Sequence, residues 1–330
     1  MTGQRFKVTQ EAPLLEYLYG IFPGQSKTGV KNMLSKGQVQ VNGESVTAFD
    51  RPLRKGDTIT VLPKGISIAR ATRSDAREEV IKAGVRIVFE DDNYIVVDKP
   101  SGLLTVSTAR GSASKSGHRE KTLYALLNSY IKVSARMQRK EDLLSGKQPD
   151  RSTAKVWIVH RLDKGTSGLV LFAKDERSKD IIQSKWKELV LERTYTAWLE
   201  GRLEKKQGAV QSWLTENEKS LKMYSSPTET KDGQLAITHY KVVGYGHRGP
   251  SEYTLAQFTL STGRKNQIRV HAEDLGHPIA GDDKYGAQTN PLYRLALHAG
   301  TLVFHHPYTG KTVRCSSPLP ESFERIEQFA

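Results

Sequence analysis

The chain has 330 residues, 37% hydrophobic and 26% charged, a length and balance that suit a folded protein with room for two domains. Its formal net charge of +14 favours a polyanionic partner, nucleic acid or an acidic membrane surface, although a merely solvated basic face would give the same count. One cysteine, Cys315, excludes an internal disulfide and zinc sites of the CxxC type. The first ten residues lack the apolar core of a signal peptide, and no run reaches the ~20 apolar residues of a membrane span, so a cytoplasmic location is expected.

Residues 1–63 form the first expected unit. Leu14, Leu15, Tyr17, Leu18 and Ile21 recur at helical spacing until Phe22-Pro23-Gly24 breaks the pattern. A second, basic helix opens at Ser26, with Val30, Met33 and Leu34 on one face and Gly37 as its C-terminal cap. Lys27, Lys31 and Lys36 follow each other along it at near-helical spacing, able to line phosphates. Residues 38–46 alternate around Asn42-Gly43, the strongest short-range hairpin signal. Residues 53–62 add a turn and a strand. Residues 64–84 are charged and Ala/Ser-rich, a linker with room for a short helix.

Residues 85–330 read as a second domain. Two strands are expected in 85–100, around Asp91-Asp92-Asn93. A helix over 122–135 buries Leu123, Leu126, Leu127, Tyr130 and Ile131. The stretch 107–156 holds eleven Lys/Arg against four Asp/Glu, half of the whole excess. Its flanks, 107–117 and 134–154, read as loops, either RNA-contacting arms or solvated surface. Strands at 156–159 and 168–174 bracket the loop 160–167. Asp175 caps a helix with Ile181, Ile182, Trp186, Leu189 and Val190 as apolar positions. Strands return at 195–199, 237–243 and 255–260, and Gly276 and Pro278 stop a short helix over 267–275.

The most informative string is 159–174, VHRLDKGTSGLVLFAK. It sets one acid, Asp163, in a loop between two strands, with Arg161 two residues earlier. Gly165, Thr166, Ser167 and Gly168 let the chain turn tightly and a substrate approach closely. Taken alone, such an Asp is more often a structural turn residue than a catalyst.

The string does not stand alone. His160-Arg161-Leu162-Asp163 with Thr166-Ser167-Gly168-Leu169 resembles the HRLDxxTSGL signature of the RluA/RluD family of pseudouridine synthases. Residues 98–103 (DKPSGL), 193–197 (RTYTA) and 261–271 (STGRKNQIRVH) resemble further family motifs in the same order. Gly276-His277-Pro278-Ile279, Gly281-Asp282, Leu297-His298-Ala299 and His306-Pro307 follow in register, so the resemblance covers about 85–320. In one departure, Asn266 stands where the family usually has His, which bears on local hydrogen bonding. The amino-terminal unit is similar to the S4 RNA-binding domain through Ser26-Lys27, Lys36-Gly37, VQVNG at 39–43 and KGDTI at 55–59.

The resemblance implies an α+β protein: a small S4-like helix-plus-hairpin domain, then a mixed, largely antiparallel sheet with flanking helices. It implies isomerisation of uridine to pseudouridine in RNA, most often large-subunit ribosomal RNA among S4-bearing relatives. Asp163 would be the catalytic carboxylate and Arg269 its basic partner. Tyr195 would stack the base, with its hydroxyl near the proton-transfer step. Leu297 would wall the base, and Arg161 would enter the RNA stack when the target leaves it. His160 and Thr166 join the substrate-binding set; Ser26, Lys27, Lys31 and Lys36 form the RNA-binding set. No metal, cofactor or nucleotide is expected, and the protein is expected to be a monomer.

Competing readings remain. A non-catalytic RNA-binding protein need not keep Asp163, Tyr195 and Arg269 together, and a glycosidase would need a second acidic catalyst. Gly244-Tyr245-Gly246-His247-Arg248-Gly249 fits GxGxxG, but Pro250 follows and no helix opens. Gly310-Lys311-Thr312 lacks the glycine that a phosphate loop needs five residues earlier. His298, His305 and His306 have no acidic or cysteine partner at ligand spacing.

Overall fold

The computed structural model describes residues 4–35, 37–62, 73–107, 121–145, 148 and 154–329. The chain divides into two compact units, Met1–Val80 with Asn128–Ala154, and Ile81–Leu127 with Lys155–Ala330. The linear partition into 1–63, 64–84 and 85–330 would keep 128–154 with the second domain. No described helix is long and apolar enough to cross a membrane.

In the first unit, strands β1 (Gln4–Lys7) and β2 (Ala12–Pro13) precede helices α1 (Leu14–Ile21) and α2 (Lys27–Ser35). Strands β3 (Val39–Val41), β4 (Glu44–Ser45), β5 (Pro52–Leu53) and β6 (Thr58–Val61) follow. The main sheet runs β1-β6-β3-β4, all antiparallel. Asn42 and Gly43 turn the β3–β4 hairpin with φ of 52° and 87°, the positive pair a tight two-residue turn demands. The Asn42 side chain also accepts from the Thr58 amide and donates to Asp57, both at 2.8 Å, which ties the turn to β6. Leu14, Leu18, Val30, Leu34, Val39, Val41 and Ile59 are buried together as the core, as the helical and alternating patterns require.

Helix α3 (Arg73–Lys82) begins within the expected linker and runs from the end of the first unit into the start of the second, which continues with β7 (Arg86–Glu90) and β8 (Tyr94–Lys99). Helix α4 (Leu123–Leu144) starts in the second unit and from Asn128 belongs to the first; the second unit resumes with β9 (Trp157–Ile158), β10 (Ser167–Ala173), α5 (Glu176–Ser184), α6 (Trp186–Leu189) and β11 (Val190–Glu200). β12 (Gln207–Glu216), β13 (Met223–Ser226), β14 (Gln234–Arg248), β15 (Ser251–Leu260), α7 (Gln267–Asp274), β16 (Leu297–His305), β17 (Thr312–Ser316) and β18 (Glu327–Gln328) complete it. Among the described residues, twelve strands form one sheet with the central order β13-β12-β14-β15-β11-β16-β10-β8-β7. Its pairs are antiparallel except β10–β16, where Ser167 and Gly168 run parallel to His298 and Ala299. The sheet is mixed and mostly antiparallel.

Three expectations need correction. The segment 134–144 is helix, not loop, because 135–144 holds strong helix formers without Gly or Pro; Gln138 and Asp142 bond across one turn at 3.1 Å. The helix after Asp175 does not run through to Val190: it breaks at Lys185 (φ −107°, ψ 30°), and Val190 opens β11. Strands β12, β13, β16 and β17 were not anticipated. Asp175 does cap α5, accepting from the Ser178 amide at 2.8 Å. The glycines of 244–249 lie at the β14–β15 hairpin, where no helix starts. The expected loop at 107–117 lies outside the described residues beyond position 107.

Candidate active site

The loop 161–166 follows β9 and enters β10, which lies between β16 and β8 in the sheet. Gly168 fixes that entry: its φ is 112°, and a Cβ there would lie 2.2 Å from the Ala299 carbonyl oxygen, so β10 and β16 can approach only with glycine at this position. The loop is held by 99–105, the DKPSGL segment and its extension. Ser101 Oγ donates to the Gly165 carbonyl (2.6 Å), and the Gly102 amide to that of Lys164 (2.8 Å). Thr105 Oγ1 donates to the Leu162 carbonyl at 2.8 Å. Lys99 is completely buried and points its ammonium at three carbonyls, those of Pro100, Leu103 and Lys164. Burial pulls Lys99 down to about 7, opposed by Asp163 and Asp98. The lysine therefore acts as a clasp between strand β8 and the Asp163 loop.

Asp163 points one oxygen at two donors on the start of α7. Its Oδ2 accepts from Asn266 Nδ2 at 2.5 Å and from Arg269 Nη1 at 3.2 Å. Asn266 adopts the left-handed conformation, φ 54°, one of the few side chains that does so at small cost. It is buried, and its Oδ1 accepts from Tyr285 Oη at 3.1 Å. Arg269 divides its guanidinium. Nε and Nη2 form a two-pronged pair with Asp282, both at 2.7 Å, and Nη1 is left for Asp163. Burial works against the Arg269 charge, but Asp282 and then Asp163 more than offset it and hold the guanidinium above its ordinary value. Tyr285 lies under Arg269, 4.9 Å from ring centre to guanidinium.

These groups border a cavity of about 230 Å³ whose lining includes Arg161, Asp163, Thr166, Tyr195, Leu260 and Leu297. Tyr195 comes from β11 next to a register shift against β16, and burial raises its hydroxyl. Leu297 starts β16; Arg294 grips its carbonyl (3.1 Å) and Ser167 Oγ (2.7 Å), fixing that wall. Thr166 is buried and its amide closes the loop onto the Asp163 carbonyl at 3.2 Å. Arg161 is exposed at the rim. The structure thus brings Asp163, Arg269, Tyr195, Thr166, Leu297 and Arg161 to one cavity. His160 does not line it. Its Nε2 accepts from the Leu171 amide at 3.0 Å, and burial lowers the ring to about 3, so it stays neutral and pins the incoming chain to β10.

In the first unit, Ser26 Oγ accepts from the Gly29 amide at 3.1 Å and so caps α2, while Lys27 and Lys31 are exposed on it. Lys36 lies outside the described residues. Sequence reasoning missed the Asn266 amide as an Asp163 donor, Asp282 as the holder of Arg269, and Lys99 and Arg294 as supports. Each of these sits in or beside a recognised motif; Asn266, Lys99 and Arg294 reach partners 103, 65 and 127 positions away, and Asp282 meets Arg269 across 13.

Residues 93–274 match the family described as RNA pseudouridylate synthase. The chain belongs to this family. It is an RNA pseudouridine synthase, and its relatives are alike along most of their length. An uncharacterized RNA pseudouridine synthase, YlyB of Bacillus subtilis, is 33% identical over 91% of this chain and 88% of its own. The ribosomal large subunit pseudouridine synthase C of Rickettsia bellii is 32% identical over 94% and 95%. The ribosomal large subunit pseudouridine synthase D of Nitrosomonas europaea is 30% identical over 93% and 81%. Among solved structures, the human RNA pseudouridylate synthase domain containing 4 superposes with a TM-score of 0.54 at 21% identity, covering 78% of this chain and 97% of that one. That likeness supports the pseudouridine synthase fold of the large sheet.

Proposed function

We propose that the enzyme converts specific uridines of large-subunit ribosomal RNA to pseudouridine, with Asp163 as the reacting carboxylate. The reaction breaks the bond from ribose C1′ to N1 of uracil and forms one from C1′ to C5. C5 loses a proton and N1 gains one, so substrate and product are isomers. The observation that carries the assignment is the oxygen of Asp163, held by Asn266 and Arg269 beside a cavity walled by Tyr195 and Leu297. Arg269 keeps a negative charge opposite it, and Tyr195 supplies an aromatic face for the uracil and a hydroxyl, kept protonated by burial, near C5. Arg161 and Thr166 contact the RNA around the target, and His160 supports them through β10. The large-subunit substrate rests on the names of the relatives C and D.

Residues 1–63 act as an S4-type RNA anchor through Lys27, Lys31 and Lys36, joined by 64–84 to a catalytic domain at 85–330. The protein works in the cytoplasm as a monomer without cofactor, metal or nucleotide. Purified enzyme and Asp163→Asn are each incubated with unmodified ribosomal RNA, and pseudouridine is mapped by reverse-transcription stops. Turnover by the wild type and none by the variant, with equal unfolding midpoints, is expected. Asp163 is a half-buried loop residue, so the amide should fold normally. Normal turnover by Asp163→Asn would remove it from the chemistry.

A further inference from the structure

A second, larger groove opens beside the candidate cavity. It encloses about 960 Å³ and shares Arg161, Tyr195, Leu260, Gly263 and Arg264 with it, so the two spaces meet at a common wall. Five cations line the groove, Arg161, Lys185, Lys187, Arg193 and Arg264, against one carboxylate, Glu188. Among the described residues none of the five cations is in an ion pair. Trp186 stands among them on α6. Arg193 sits over its ring at 5.2 Å and His160 tilts against it at 5.5 Å, so the indole is fixed in place. Lys185 and Lys187, on either side of it, are exposed.

We infer that this groove is a binding subsite for the RNA strand adjoining the target uridine, taking its next nucleotide on one side. The inference rests on the proposed site at Asp163. The smaller cavity has room for one nucleoside, so the polynucleotide must leave through its mouth. The shared wall, Arg161, Tyr195, Leu260, Gly263 and Arg264, leads it into this groove. The chemistry there suits the occupant: cations outside any ion pair for phosphate and a rigid aromatic–guanidinium pair for a base, the combination by which single strands are held without sequence readout. The break in the helix at Lys185 is what turns Lys185, Trp186 and Lys187 into this wall.

The test uses full-length enzyme and a ribosomal RNA fragment carrying one target. Lys185→Ala/Lys187→Ala should raise KM about tenfold with kcat within about twofold, since phosphate contacts contribute to ground and transition states alike. The control, Lys205→Ala/Lys206→Ala, removes two exposed lysines outside the groove and should change KM by less than about threefold, as expected of unspecific attraction. Equal KM changes in the two variants, or none in the first, would overturn the subsite. A second measurement places 4-thiouridine one or two nucleotides to either side of the target and irradiates the complex. Adducts within 183–188 or 261–264 from one side are expected; adducts only elsewhere would sink the idea. Failure of the Asp163 assignment shows separately, as turnover by Asp163→Asn with these contacts intact.

Discussion

Asp163 shares Arg269 with a better-placed competitor. Asp282 takes two short bonds from the guanidinium and is almost wholly buried, whereas Asp163 takes one longer bond and is about a quarter exposed. In the proposed mechanism this division has a chemical use: Asp282 orients the arginine, so the cation stands beside Asp163 without a two-pronged pair to it. It also makes the arginine matter for folding. Arg269→Met should slow single turnover by orders of magnitude and leave RNA affinity within about tenfold, because affinity is spread over many cations. It should also destabilise the protein by about 3–5 kcal/mol, the cost of leaving one partner of a buried ion pair uncompensated. Adding Asp282→Asn should restore most of the stability and none of the rate. Urea unfolding and single-turnover assays on the two variants separate these effects; recovery of both together would mean that Arg269 acts only through folding.

At the scale of elements, α7 carries the site because of a buried histidine behind it. His271 lies between Ser212 of β12 (3.0 Å) and Thr238 of β14 (2.7 Å), and has no exposed surface. Burial lowers it from 6.5 to about 4. Above pH 6.5 the imidazole is neutral folded and unfolded, and its contribution to stability is fully present. Between 6.5 and about 4 the unfolded chain takes up a proton that the folded one refuses, so stability falls as pH falls, approaching about 1.4 kcal/mol per pH unit for this one group. His271→Gln keeps two polar ends and cannot titrate, so its loss of stability from pH 7 to pH 5 should be smaller than that of the wild type. Parallel losses in denaturant titrations at the two pH values would show that α7 is not docked by a neutral histidine.

How much could be read beforehand also depends on scale. The strings 160–169 and 261–271 point to Asp163 and Arg269 only through their resemblance to family motifs, since an Asp in such a loop taken alone reads as a turn residue. The contacts that complete the site were not legible. Asp163 meets Asn266 across 103 positions, and a side chain that looked like a departure from a family pattern is its shortest hydrogen bond. Strand β12 was missed because QGAVQSWLTE mixes polar and apolar residues with little β-branched character, and its place is set by pairing with β13 and β14. At the end of α4 a dense run of charge masks residues of high helix propensity.

For the whole molecule, the excess of +14 acts on a substrate whose charge is far larger, so the enzyme should bind RNA with steep salt dependence. The proposed anchor on α2 predicts how one part of that dependence can be removed. Lys27 and Lys31 are exposed on a helix whose core residues, Val30 and Leu34, face away, so Lys27→Ala/Lys31→Ala should leave folding intact. Each phosphate that is no longer neutralised should shrink the slope of log affinity against log salt by about 0.7–0.9, hence by roughly 1.5 for the pair. Turnover of saturating RNA should stay at the wild-type rate, since these lysines lie outside the lining of the candidate cavity. Filter-binding or fluorescence titrations at several salt concentrations measure the slope, and a single-turnover assay measures the rate. An unchanged slope and affinity would show that α2 does not touch RNA. A changed rate at saturation would mean instead that the first unit helps assemble the catalytic complex rather than holding RNA alone.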